Sequence, residues 1–164
     1  MGEKASNLAN RFLDVHEKVV KAVQDCPEDL WANNCDGENE SIGAVANHIA
    51  AGYRLELQLI TATLSGQPVP NIYVVEGALD RYHAEASRQF SQYNKANTLA
   101  HLQENAVLVQ RYISDMSDAD LAKPVPAAMF IRWFGRPITI ETVIELVIEH
   151  PAGHLSSIQK GIAR

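Results

Sequence analysis

The stretch Val143-Ile-Glu-Leu-Val-Ile-Glu-His-Pro-Ala-Gly-His-Leu-Ser-Ser-Ile158 carries the pattern that decides the fold. Its apolar and histidine positions recur at intervals of three and four, the repeat of a helix face that packs against a core. The members of this face are Val143, Val147, His150, His154 and Ile158. The stretch therefore predicts a long helix that turns two imidazole rings inward.

Histidine spacing in this helix is typical of a metal-binding pair. His150 and His154 are four residues apart, which stacks their rings on one helix face about 6 Å apart. A second predicted helix carries His48 on an inward face of the same rhythm. A buried imidazole needs a hydrogen bond, a charge or a metal. One shared ion would satisfy all three rings, although each alone is also compatible with a hydrogen-bonded core histidine.

Composition indicates one globular domain over residues 1–164. The chain has 164 residues, is 46% hydrophobic and has a net charge of −6, with its Lys and Arg residues scattered. This balance disfavours nucleic acid or an anionic membrane as a partner. No run of apolar residues is long enough to span a membrane, and no secretory signal precedes the first helix. With Cys26 and Cys35 as reduced structural thiols, we expect a cytoplasmic protein.

Periodicity predicts four main helices and no sheet, an all-α fold. The helices are expected near residues 5–25, 42–64, 98–116 and 139–161, with a short extra helix within 78–93. The expected N-caps are Ser41, Asn97 or Thr98, and Thr139. His48 lies early in helix 2 and the histidine pair lies late in the last helix. These rings are level only if the two helices are antiparallel, which a long crossover between helices 2 and 3 of a four-helix bundle permits.

Three segments resemble the DinB family, also known as the DinB/YfiT-like metalloenzymes. They are Ser41-Ile-Gly-Ala-Val-Ala-Asn-His48-Ile, Gly135-Arg-Pro-Ile-Thr-Ile-Glu-Thr-Val, and Glu149-His150-x-x-x-His154-x-x-x-Ile158. The resemblance implies a four-helix bundle with a long crossover between helices 2 and 3, usually a homodimer. It also implies one divalent metal ion, zinc or nickel, held by His48, His150 and His154. Pro151 and Ser157 stand where family members commonly have Glu and Gln.

Three imidazoles leave coordination positions of a metal open, as in catalytic sites. The resemblance implies a thiol transferase that activates a low-molecular-weight thiol, bacillithiol, mycothiol or glutathione, toward an electrophilic substrate. A metal-dependent hydrolase is the enzymatic alternative, with no general base assigned. The other alternative is a non-catalytic bundle whose structural metal staples helices while its surface mediates dimerisation.

The remaining aromatic and histidine residues are compatible with either a functional or a structural role. Aromatic residues in the loops before helices 2 and 4 either wall a substrate cleft or plug the ends of the bundle. They are Trp31, Phe130, Trp133 and Phe134. Of the remaining histidines, His16 is expected to be solvent-facing or capping rather than a fourth ligand, and His83 and His101 are expected to be exposed.

Overall fold

The computed structural model describes residues 2–35, 37–38, 40–90 and 94–163. Within these ranges the chain forms α-helices and two short 3₁₀ segments and no β-strand, which confirms the all-α prediction. The helices are α1 (Glu3–Asp25), α2 (Ile42–Ser65), α3 (Ala78–Phe90), α4 (Lys95–Ser114), α5 (Asp118–Leu121), α6 (Ala128–Phe134) and α7 (Ile140–Ile162), and the 3₁₀ segments are Glu28–Leu30 and Asn71–Tyr73. None of the described helices combines the length and apolarity that a membrane crossing requires.

Helix boundaries follow local capping chemistry. Ser41 Oγ accepts a hydrogen bond from the Ala44 amide at 3.1 Å, so α2 begins where it was predicted. Thr139 caps α7 in the same way. The prediction for α4 was wrong, because Asn94 is the cap: its Oδ1 accepts from the Asn97 amide at 2.8 Å, and the helix begins at Lys95.

The short elements were predicted only in part. The extra helix expected within residues 78–93 is α3, and residues 91–93 lie outside the described part of the chain. Helices α5 and α6 were not predicted, because four to seven residues are too few for a helical repeat to be read.

Four long helices surround the core, and α1 and α2 each pack against both α4 and α7. Helices α2 and α7 run antiparallel. A Cβ at Gly161, late in α7, would lie 3.2 Å from Cδ1 of Ile42 at the start of α2, and a Cβ at Gly52 would lie 3.7 Å from the His150 ring. The early part of α2 therefore lies beside the late part of α7.

Helices α2 and α4 run parallel. Asn47 Nδ2 donates to Thr98 Oγ1 at 2.6 Å, and further along both helices, about one turn on α2 and two turns on α4, Asn105 Nδ2 donates to the Ala50 carbonyl at 2.8 Å. Parallel neighbours cannot be joined by a tight turn, because the chain must return along the length of the first helix before the second begins. The segment between α2 and α4 contains the 3₁₀ turn Asn71–Tyr73 and α3.

Candidate metal centre and its pocket

Three histidine side chains converge where the early part of α2 faces the late part of α7. His48 Nε2 and His154 Nε2 each lie 3.0 Å from His150 Nε2. One ring nitrogen from each of the three lies within 4.8 Å of the others. The structure thus brings together the three residues predicted from the sequence, and these three could hold a metal ion.

Hydrogen bonding alone does not satisfy this arrangement. An imidazole nitrogen presents either one N–H or one lone pair in the plane of its ring. His150 Nε2 faces both His48 Nε2 and His154 Nε2, so a single proton or lone pair on it can serve only one of the two contacts. A shared cation accepts all three lone pairs, which is the donor chemistry that a divalent metal needs.

The spacing of the nitrogens also fits a metal. Bonds of about 2.05 Å to a central ion place two nitrogens about 2.9 Å apart at a right angle and about 3.3 Å apart at the tetrahedral angle. The two observed separations of 3.0 Å lie within that interval. Two of the three nitrogen pairs therefore already have the spacing that a shared ion requires.

Burial keeps the rings of His48 and His150 neutral. Desolvation, assisted by the neighbouring histidines, lowers the pKa of His48 from 6.5 to about 3. The same causes lower the pKa of His150 to about 4. Neutral rings have the free lone pairs that metal coordination requires.

Glu38 orients the third ring. Its Oε1 lies 2.9 Å from His154 Nδ1. A proton on Nδ1 donates to this carboxylate and leaves the lone pair on Nε2, which points at the other histidines. Sequence reasoning missed Glu38, because it lies in the loop before α2, 116 residues from its partner.

Replacing Glu38 with alanine is expected to weaken metal binding about 10- to 100-fold, because His154 loses the partner that fixes its tautomer and ring orientation. Titration against a chromophoric chelator measures the affinity. Glu149→Ala is the matched control, since Glu149 lines the adjoining pocket without a hydrogen bond to any of the three rings in the described structure. Equal losses in both variants would show that charge near the site matters and that the hydrogen bond does not.

His83 was expected to be exposed, and this expectation is wrong. It is half-buried on α3, with its ring centroid 5.0 Å from that of His48. Burial lowers its pKa. Leu79 and Ala86 share a helical face with His83, at intervals of four and three, and the sequence reasoning missed this inward-facing signal. His101 is exposed on α4, as predicted.

His16 was also misjudged, since it is buried rather than solvent-facing or capping. It is 8% exposed, and its ring stacks against Phe12 and meets Tyr53 edge-on. Burial lowers its pKa, and its Nδ1 has no hydrogen-bond partner in the described structure. His16 does not belong to the metal-competent group.

A pocket of about 640 Å³ adjoins the histidines. Its walls are mostly apolar and aromatic, and α6 contributes Phe130 and Trp133 to them. The cleft reading is therefore correct for these two aromatic residues. Trp31 instead packs on the start of α2, where a Cβ at Gly43 would meet its indole at 2.6 Å. Phe134 does not line the pocket, and its ring lies 6.3 Å from that of Phe130.

Sequence comparison assigns the family. The model of the DinB superfamily matches residues 11–158, most of the chain. The chain belongs to the DinB superfamily. This confirms the resemblance read from the segments around His48, residues 135–143 and the His150–His154 pair. A search of curated protein sequences found no match.

Solved structures share the fold. An uncharacterised protein from Clostridium difficile 630 has a TM-score of 0.77 at 15% identity, covering 98% of this chain and 96% of its own. A mycothiol-dependent maleylpyruvate isomerase has a TM-score of 0.76 at 12% identity, covering 96% of this chain and 63% of its own. A protein from Streptococcus pneumoniae has a TM-score of 0.75 at 15% identity, covering 98% and 91%. At these identities the likeness concerns the fold.

Proposed function

We propose that this DinB superfamily protein is a divalent-metal-dependent thiol transferase. The observation that carries the proposal is the convergence of three imidazole nitrogens, 3.0 Å apart in two pairs, beside a pocket of about 640 Å³. A structural metal site is closed by its ligands, whereas three ligands facing a pocket leave room for a substrate. A structural neighbour of this fold is named a mycothiol-dependent isomerase, which supports a thiol as co-substrate.

The residues of the site have separate roles in this proposal. His48, His150 and His154 hold the ion, zinc or nickel, and Glu38 fixes the ring of His154. When bound, such an ion lowers the pKa of a coordinated thiol and so favours the thiolate at neutral pH. The pocket holds the electrophile beside it. In the transfer, sulfur bonds to an electrophilic carbon, the thiol proton passes to water, and the departing group leaves with the electron pair of the broken bond.

The same proposal includes the finer features that the family resemblance implies. The fold is a four-helix bundle of α1, α2, α4 and α7 with a crossover between its second and third members, which the parallel packing of α2 on α4 supports. A homodimer is proposed on the family resemblance alone. A cytoplasmic location is supported by two buried, unpaired cysteines.

The test is thiol consumption. Protein loaded with zinc or nickel is incubated with bacillithiol, mycothiol or glutathione and a panel of alkylating and unsaturated electrophiles, and free thiol is followed with time. We expect turnover with at least one thiol, and none above background for His48→Ala. Background rates with every thiol in the metal-loaded wild type would rule the transferase out.

Two alternatives give different results. A metal-dependent hydrolase would cleave ester or amide probes while leaving the thiols untouched. A structural metal would make the protein depend on the ion for folding, so chelator would lower the melting temperature steeply, whereas a catalytic ion is removed with modest loss of stability. The pocket beside the histidines favours the catalytic reading.

A further inference from the structure

One carboxyl group in the pocket has no role in the metal centre. Glu56 lines the pocket two helical turns beyond His48 on α2, about 12 Å along the helix axis. The other two carboxyl groups in the pocket wall have different surroundings. Glu38 is bound to His154, and Glu149 is an exposed residue of α7.

Glu56 is surrounded by groups that do not compensate its charge. It is half-buried, and no hydrogen bond or ion pair reaches it within the described part of the chain. Its pocket neighbours include Leu55, Leu59 and Tyr73, and the described wall of the pocket contains no lysine or arginine. A carboxylate in such surroundings is unfavourable, and burial accordingly raises the pKa of Glu56 from 4.5 to about 8.

The walls around Glu56 suit an organic cation. Aromatic faces attract ammonium groups, and Tyr73, Phe130 and Trp133 all line this pocket. An anionic ligand would instead meet carboxyl groups with no positive side chain to offset them. The apolar part of such a ligand packs against the aliphatic side chains of the pocket, and its positively charged end pairs with the Glu56 carboxylate.

We propose that this pocket binds a ligand with an apolar or aromatic body and a protonated amine, and that the amine pairs with Glu56. The inference that this ligand is the electrophilic substrate rests on the proposed function, because that function makes the pocket a substrate site. Binding of the amine to the pocket can be measured independently of that function. In this proposal Glu56 determines specificity by contacting the end of the ligand that lies far from the histidines.

Binding of the amine should release a proton near neutral pH. A neighbouring ammonium favours the ionised carboxylate, so Glu56, mostly protonated at pH 7 in the free protein, gives up about one proton when the pair forms. Burial raises the pKa of the nearby phenols Tyr53, Tyr73 and Tyr82, so they stay protonated. Helix α6 contributes only apolar and aromatic side chains to the pocket wall, whereas α7 contributes Glu149, His150 and His154 at the histidine end, where α3 contributes His83.

Three probes of one shape test the proposal: phenylbutylamine, phenylbutanol and phenylbutyrate. Calorimetry on the full chain, in two buffers of different ionisation enthalpy, gives both affinity and proton release. We expect the amine to bind at least tenfold more tightly than the alcohol, and the butyrate to bind most weakly. Glu56→Gln should reduce the amine-to-alcohol ratio to about one and abolish the proton release, while binding of the alcohol persists. Glu149→Gln, at the same pocket, should keep the preference.

The proposal is overturned if the amine does not bind, if alcohol or butyrate binds equally well, or if the preference survives in Glu56→Gln. Loss of the preference in Glu149→Gln alone also overturns it. Failure of the transferase is recorded separately by thiol consumption. Amine binding without thiol turnover retains the pocket assignment, and thiol turnover without an amine preference retains the transferase and rejects the assignment of Glu56.

Discussion

Replacing His150 with alanine is expected to lower metal affinity by about 10² to 10³, the largest effect of any single substitution at the site. Structural zinc is bound with about 10 to 16 kcal/mol by four ligands, so one ligand accounts for about 2.5 to 4 kcal/mol. His150 is the central member of the group, because its Nε2 faces the nitrogens of both His48 and His154. Its loss leaves two ligands from different helices.

Metal affinity and folding stability should respond differently to this substitution. The metal-free wild type has one imidazole contact that hydrogen bonding cannot satisfy, so removing the ring costs packing and relieves an unfavourable polar contact. We expect the melting temperature of the metal-free protein to change little, while the increase on adding metal disappears. Competition with a chromophoric chelator and thermal melts measure the two effects. His101→Ala, on the exposed face of α4, is the control.

Retention of wild-type affinity in His150→Ala, with affinity lost in His101→Ala, would place the metal elsewhere. Equal retention in both would remove the three-histidine site altogether. A large drop in the melting temperature of metal-free His150→Ala would show instead that the ring is a core residue.

Much of the fold and the convergence of the three histidines could be predicted because they follow from helical periodicity. Val143, Val147 and Ile158 share a face with the histidine pair, and in the structure all three are buried. N-cap residues then indicated where α2 and α7 begin, since the side chains of Ser41 and Thr139 each accept a hydrogen bond from the backbone amide three residues later. Both kinds of signal are local in the chain, and neither depends on how helices are arranged.

The rest of the site depends on contacts between distant segments. Glu38 meets His154 across 116 residues, from a loop without periodicity. His83 lies on α3, and its position beside His48 is set only when α3 packs against α2. Glu56 occupies a position of α2 that gives no warning in sequence, because a glutamate beside an apolar helix face is ordinarily solvated. Tertiary packing forms the pocket and so determines the surroundings of Glu56.

Glu56 should make the stability of the protein depend on pH in an unusual direction. Its folded-state pKa, about 8, lies above the ordinary 4.5, so the folded state binds more protons than the unfolded state between these values. The contribution is fully present below about pH 4.5 and is lost as pH rises through 8. Given that the side chain is only half-buried, we expect the wild type to lose about 2 to 4 kcal/mol of unfolding free energy from this source between pH 5 and pH 9.

Glu56→Gln removes the titrating group and should flatten that dependence. The unfolding free energy of metal-free wild type and variant is measured with denaturant at pH 5, 7 and 9, and the difference between the two proteins gives the contribution of Glu56. The variant should be close to the wild type at pH 5 and more stable at pH 9. Glu104→Gln, on the exposed face of α4, should follow the wild type at every pH. A constant difference between wild type and Glu56→Gln would mean that the carboxyl is solvated in the folded state, which would also remove the reason for it to seek a cationic partner.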